Sequence, residues 1–233
     1  MKVGTDSILL GSWAAQCLNL HYQSETYKTA LDIGCGSGLL ALMLSQWSKG
    51  ALKMTGVEID QDAALQAKQN VAASPWADSI DVTNDNILES DDLCSSTHDI
   101  IISNPPYFPV PARETQSQQG LSAKRKLARS ESILTIADLF RLISVSLSPM
   151  GVTFVILPSE QYSNAKHESE QNGLFIQRQL DVRSLAEKPV SRVCLALGKT
   201  KIKRFRDKLN IYAAPSVYTE EYRDLCRAYY LYF

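Results

Sequence analysis

The sequence has few histidines, no closely spaced cysteines and no long apolar run. The three histidines, His21, His98 and His167, lie far apart, so we expect them at the surface and predict no metal site. The five cysteines are scattered without C-x-x-C spacing, which argues against a disulfide framework or a zinc site and fits a reducing cytoplasm. No apolar run reaches the roughly 18 residues of a membrane span, and the first residues lack a signal-peptide pattern.

Net charge is also small, at −1, but it is distributed unevenly along the chain. Residues 58–99 contain ten acidic residues and one basic residue, whereas residues 178–208 contain ten basic residues and three acidic ones. A second basic cluster contains Lys124, Arg125, Lys126 and Arg129. Such polarity favours a face that binds a polyanion, although an ordinary solvated surface has the same composition.

Short apolar segments alternate with helical patterns as far as residue 172. The segments "TALDIG", "LKMTGVEID", "SIDVTN", "HDIIIS" and "GVTFVILP" are typical of buried strands, and the alternation predicts a mostly parallel sheet with helices on both faces. Two further strand patterns, "LFIQRQLDVRS" and "RVCLALGKTK", follow without a helix between them and predict an antiparallel pair. A helix over "GTDSILLGSWAAQCLNL", capped by Thr5 or Asp6, precedes the first strand.

A glycine-rich loop and an acidic residue mark a candidate ligand site. "LDIGCGSGLLAL" places Gly34, Gly36 and Gly38 between a strand and a helix, where backbone can approach a ligand and free N–H groups can bind it. Glu58 ends the next strand, where a carboxylate can accept hydrogen bonds from both hydroxyls of a ribose. Together they favour a nucleoside-type cofactor over a structural turn, and the G-x-G-x-G spacing disfavours a dehydrogenase.

The stretch "SNPPYF" follows the fourth strand and predicts a site for a planar amino group. Such an amine is a poor nucleophile because its lone pair is delocalised. The side-chain oxygen of Asn104 and the backbone carbonyl of Pro105 can accept its two hydrogens and orient it, while Pro106 stiffens the loop and Tyr107 offers a flat face. Catalysis at such a site is mostly positioning.

These segments, with "NDNI" after the third strand, resemble the class I S-adenosylmethionine-dependent methyltransferases. The resemblance implies a seven-stranded, mostly parallel Rossmann-like α/β sheet with an antiparallel C-terminal strand pair. It also implies S-adenosyl-L-methionine as cofactor and transfer to a planar nitrogen, which leaves an adenine or guanine amino group and a release-factor glutamine open. The cofactor would be held by Asp32, Gly34, Gly36, Gly38, Glu58, Ile59, Asn104, and Asp85 or Asn86.

Four longer segments narrow the resemblance: "MKVGTDSILLGSWA", "SPWADSI", "DIIISNPPYF" and "YTEEYRDLCRAYYLYF". They resemble the bacterial family that methylates N6 of adenine 37 in the anticodon loop of a valine tRNA. The resemblance implies that Thr5 and Asp6 lie near the methionine end of the cofactor. The basic residues expected to contact tRNA phosphates are Lys124, Arg125, Lys126, Arg129, Lys201 and Lys203.

Family members carry a further N-terminal stretch before "MKVGTD". We expect residues 1–233 to form a single methyltransferase domain without that extension, and to act as a monomer. Two alternatives stay open. One is a glutamine methyltransferase, although that class adds an N-terminal helical domain. The other is a truncated cofactor-binding module with little activity.

Overall fold

The structure, a computed structural model, describes residues 4–22, 26–90, 96–105 and 134–230. Its centre is a sheet of eight strands: β1 (Thr29–Ile33), β2 (Lys53–Glu58), β3 (Ile80–Asn84), β4 (His98–Ser103), β5 (Leu147–Pro158), β6 (Phe175–Arg183), β7 (Arg192–Gly198) and β8 (Phe205–Asn210). They are arranged in the order β3-β2-β1-β4-β5-β7-β6-β8. A short hairpin, β9 (Tyr212–Ala214) and β10 (Val217–Tyr218), follows the last of them.

Six helices cover the sheet in the described part of the chain: α1 (Thr5–His21), α2 (Leu39–Trp47), α3 (Gln61–Ala72), α4 (Ile136–Ser146), α5 (Tyr162–Gln171) and α6 (Glu220–Cys226). Two apolar clusters fill the two faces. Helices α1, α2, α3 and α6 contribute to one cluster, and α4 and α5 contribute to the other. Neighbouring residues of β1 alternate between them, with Ala30 in the first cluster and Leu31 in the second. The fully buried strands are therefore apolar on both sides, as parallel strands between two helical layers must be.

All strands of the sheet run in one direction except β7. Every other neighbouring pair is parallel, whereas β7 is antiparallel to both β5 and β6. The carboxyl ends of β1, β2, β3 and β4 therefore meet at one edge together with the start of β7. We call this the upper edge. The segment that joins β7 to β8 lies at the opposite, lower edge.

The predicted α/β sheet with helices on both faces and an antiparallel β6–β7 pair is confirmed, but the predicted number of strands is wrong. An eighth strand, β8, pairs in parallel with β6 over six residues. The segment "FRDKLN" lacks the alternation of apolar and polar residues that would predict a strand, and only Leu209 in it is buried. A parallel partner on the outer side of β6 therefore forms through backbone hydrogen bonds rather than through an apolar face.

Two smaller expectations are also wrong. Helix α1 begins after Gly4 with no side-chain cap, so neither Thr5 nor Asp6 caps it. His98 lies buried at the start of β4 rather than at the surface, and burial lowers its pKa.

The described ranges contain no helix that is both long and apolar enough to cross a membrane. Nor do these ranges hold three or more His, Cys, Asp or Glu residues placed to bind a metal.

Candidate active site

The glycine loop after β1 follows a left-handed path at each predicted glycine. Gly34, Gly36 and Gly38 have φ of +69°, +56° and +79°. A side chain at any of them would be strained, so glycine is the residue that favours this loop. The Gly34 N–H donates to the carbonyl of Val57 at 2.9 Å, which fixes the start of the loop to β2. Helix α2 starts at the upper edge, with Gly38 as an N-cap residue that supplies no side-chain acceptor, so the first-turn N–H groups of α2 lie at this edge.

Glu58 connects the glycine loop to the turn that follows β2. Its Oε2 accepts from the Gly36 N–H at 2.8 Å, and its Oε1 accepts from the Asp60 N–H at 2.9 Å. A carboxylate has about four acceptor positions, so two remain for a ligand. The same side chain can therefore shape the loop and bind hydroxyl groups at its carboxylate.

Asp32 lies beneath the loop at the end of β1 and is completely buried. Its Oδ2 accepts from the Ala41 N–H at 3.1 Å, whereas Oδ1 has no hydrogen-bond partner among the residues that the structure describes. Burial raises the pKa of the carboxyl to about 7, against the lowering effect of the Ala41 N–H and with a smaller rise from the Glu58 charge. A buried oxygen without a partner is an acceptor that a bound cation or donor would satisfy.

The turn after β3 distinguishes Asp85 from Asn86. The Asn86 amide is engaged at both ends, since Oδ1 accepts from the Leu88 N–H at 3.2 Å and Nδ2 donates to Glu89 Oε1 at 2.7 Å. Asp85 accepts one bond through Oδ1, from the Asn86 N–H at 2.8 Å. The nearby Ile59 side chain is 49% exposed, so its apolar surface is accessible at this edge.

The start of the "NPPY" segment is held at the same edge. Ser103 Oγ donates to the carbonyl of Ile33 at 2.8 Å, so the end of β4 is tied to the end of β1. The next residue, Asn104, donates through Nδ2 to Ser7 Oγ at 2.9 Å, and Pro105 is buried. Pro106 and Tyr107, for which we predict catalytic roles, lie outside the described residues.

The first turn of α1 reaches the same edge from above the sheet. Asp6 accepts from Arg192 Nε at 2.9 Å, which ties the helix to the first residue of β7. Thr5 is exposed beside it. Sequence reasoning missed both Ser7 and Arg192, because a serine in a helix and an arginine at a strand start belong to no motif. Only the hydrogen bond between Ser7 and Asn104 shows that Ser7 belongs to the site.

The structure therefore brings most of the predicted cofactor and catalytic residues to one edge of the sheet. These are Thr5, Asp6, Asp32, Gly34, Gly36, Gly38, Glu58, Ile59, Asp85, Asn86, Asn104 and Pro105. It does not bring Lys201 and Lys203 there, since both follow β7 at the lower edge. The seven residues of β7 separate the two edges by about 20 Å. Lys124, Arg125, Lys126 and Arg129 lie outside the described residues.

Comparison with known proteins agrees with this architecture. A family model described as "Methyltransferase small domain" matches residues 13–140. Among solved structures, a predicted O-methyltransferase from Agrobacterium tumefaciens superposes with a TM-score of 0.67 at 17% identity, covering 98% of both chains. At that identity the similarity establishes the fold alone.

Two curated relatives are much closer in sequence. The chain is 38% identical over 235 residues to the tRNA1(Val) (adenine(37)-N6)-methyltransferase of Pectobacterium carotovorum, covering 100% of this chain and 88% of the relative. It is 36% identical over 232 residues to the protein of the same name from Trichodesmium erythraeum, covering 99% and 91%. The resemblance noted from the sequence is thus confirmed. The chain belongs to the methyltransferase small-domain family and, within it, to the family of the tRNA1(Val) (adenine(37)-N6)-methyltransferases.

Proposed function

We propose that the protein transfers a methyl group from S-adenosyl-L-methionine to N6 of adenine 37 in the anticodon loop of tRNA1(Val). The name shared by relatives that are similar over nearly the whole chain supports this substrate. The observation that carries the chemistry is Asn104. Its side chain sits at the end of β4, on the same edge as the glycine loop and Glu58, with Nδ2 already bound by Ser7.

The residues at the upper edge fit the cofactor. The unpartnered Oδ1 of Asp32 and the N-terminus of α2, where Gly38 supplies no side-chain cap, suit the polar methionine end, and Glu58 retains acceptor capacity for the ribose hydroxyls. Asp85 suits the adenine better than Asn86, because both ends of the Asn86 amide are already engaged. The half-exposed Ile59 would cover one face of that ring. When bound, this cofactor supplies an electrophilic methyl group on a sulfonium.

Asn104 and Pro105 prepare the nucleophile. We propose that Asn104 Oδ1 and the Pro105 carbonyl accept the two N6 hydrogens, which withdraws the nitrogen lone pair from the ring and directs it at the incoming methyl. Because neither acceptor is a strong base, the contribution is orientation rather than proton abstraction before transfer. The sulfonium would leave as a neutral thioether when its bond to the methyl carbon breaks, and the surplus N6 proton would then pass to water. The base of an anticodon loop needs little unpairing to reach such a site.

The experiment is methyl transfer from labelled S-adenosylmethionine to an unmodified tRNA1(Val) transcript. We expect label in this transcript, none in a transcript with guanine at position 37, and none in a release factor. At saturating cofactor, Asn104→Ala should lower the rate by at least about 100-fold, the scale of losing one oriented group at a reaction centre. Label in tRNA that survives Asn104→Ala contradicts the mechanism, and label in the release factor alone contradicts the substrate.

We further propose that residues 1–233 act as one domain and as a monomer in the cytoplasm. The shared core supports the single domain, since residues as distant in sequence as Leu10 and Cys226 pack in the same apolar cluster. Sedimentation with and without tRNA would test the oligomeric state.

A further inference from the structure

We propose that Ser7 is a positioning residue that holds the catalytic side-chain amide of Asn104 in place. The hydroxyl oxygen of Ser7 accepts from Asn104 Nδ2 at 2.9 Å. With the NH2 end of the amide bound to Ser7, the oxygen end remains available as an acceptor. Among the described residues, none donates to Asn104 Oδ1. The inference rests on the proposed function, in which that oxygen accepts a hydrogen of the substrate amine.

The orientation matters because the two ends of a carboxamide have opposite hydrogen-bonding character. Rotation by 180° about the last side-chain bond exchanges oxygen and nitrogen with almost no change in shape. In the productive orientation, Oδ1 accepts from the amine of adenine. In the rotated one, an NH2 group would meet another NH2 group, and no hydrogen bond could form. A serine hydroxyl can accept from Nδ2 or donate to Oδ1, so Ser7 does not itself select the orientation. It holds the amide at a fixed place, and in the productive orientation it pairs with Nδ2 and leaves Oδ1 for the substrate amine.

Both partners of this hydrogen bond are held by further contacts. Asp6, beside Ser7 in the first turn of α1, forms an ion pair with Arg192 Nε at 2.9 Å, and the side chains of both are more than two-thirds buried. Ser103, beside Asn104, donates to the Ile33 carbonyl at 2.8 Å. The helix and the end of β4 are thus fixed independently, so the distance from Ser7 to Asn104 does not depend on the bond itself. This is the arrangement that a positioning contact requires.

The test compares Ser7→Ala with a matched control, Ser12→Ala, which removes a buried hydroxyl from the same helix away from Asn104. We expect Ser7→Ala to lower kcat for tRNA roughly tenfold, since one neutral hydrogen bond contributes on the order of a factor of ten. The Kd for S-adenosylmethionine and the melting temperature should match those of Ser12→Ala. Ser7→Thr, which keeps the hydroxyl, should restore most of the lost rate.

A second readout does not depend on activity. In the free protein, the side-chain NH2 resonances of Asn104, assigned by their loss in Asn104→Ala, should shift in Ser7→Ala and not in Ser12→Ala. Unchanged resonances, a kcat within twofold of the control, or a loss of rate that Ser7→Thr does not restore would each overturn the proposal. A wild-type protein that transfers no methyl to tRNA would instead contradict the proposed function, and the resonances would still decide the role of Ser7.

Discussion

At the scale of single residues, Asp32 joins the candidate site to the stability of the fold. Burial raises its pKa from 3.8 to about 7, so the folded protein binds a proton there more tightly than the unfolded chain does. This proton stabilises the fold fully below about pH 4, and the stabilisation is lost as the pH rises toward 7. Between about pH 4 and pH 7, the free energy of unfolding falls by at most about 4 kcal/mol for this reason.

Asp32→Asn should remove this pH dependence. Without cofactor, the free energy of unfolding of the variant relative to wild type should rise between pH 4 and 7 and stay level above pH 7. Urea unfolding at a series of pH values measures the difference. Asp81→Asn, which changes an exposed carboxyl on β3, is the matched control. A constant difference between Asp32→Asn and wild type at all these pH values would show that the carboxyl is ionised in the fold.

A site residue can be predicted from the sequence when its place in the structure depends on residues near it in the chain, and it is missed when its place depends on distant residues. Gly34 and Glu58 can be predicted because a left-handed turn and the end of a strand are set by a few neighbouring residues in the chain. Ser7 and Arg192 cannot, because their partners Asn104 and Asp6 are 97 and 186 positions away. Only the arrangement of α1 over the sheet brings these pairs together.

At the scale of secondary-structure elements, β8 is the part that the sequence predicts least well. Its only buried side chain is Leu209, so no alternation of apolar and polar residues marks it. Two side-chain contacts attach it to β6 besides backbone pairing: the Arg206–Asp181 ion pair, and Arg178 lying over the Phe205 ring at 4.8 Å from its centroid. Asp181 is 97% buried and also accepts from Gln179, which leaves its charge dependent on Arg206. A tertiary contact of this kind cannot be inferred from local pattern.

Arg206→Ala should therefore destabilise the fold more than an ordinary surface substitution does. The change leaves the Asp181 carboxylate buried without its cation, and because Arg206 is half exposed we expect a loss of about 2 kcal/mol. Asp181→Asn in the same chain should recover most of this loss by removing the charge. Urea unfolding of the two single variants and the double variant measures the coupling. Additive single effects would show that the ion pair does not hold β8 to the sheet.

At the scale of the whole molecule, the strand order separates the charges that the sequence carries in blocks. The acidic block runs from the end of β2 through α3 and β3 to the start of β4, and the basic block covers most of β6, all of β7 and the start of β8, which lie toward the other side of the sheet. An RNA whose target base enters the upper edge near Asn104 would be repelled on the first side and attracted on the second. The tRNA body is therefore expected to lie along the β8 side, toward Lys201 and Lys203 at the lower edge.

Charge reversal at the lower edge should then weaken binding of the whole tRNA without changing the chemical step. We expect Lys201→Glu with Lys203→Glu to raise KM for full-length tRNA and leave kcat unchanged. KM for an isolated anticodon stem-loop should change less, because Lys201 and Lys203 lie about 20 Å below Asn104, the length of β7. The slope of log Kd against log salt should fall by about one to two, one phosphate contact for each lysine.

Lys68→Glu, on the acidic side, is the matched control and should leave the slope unchanged. If the double variant raised KM equally for the stem-loop and for the whole tRNA, the RNA body would lie elsewhere. Only an RNA longer than β7 can reach the lower edge while its target base is at the upper edge.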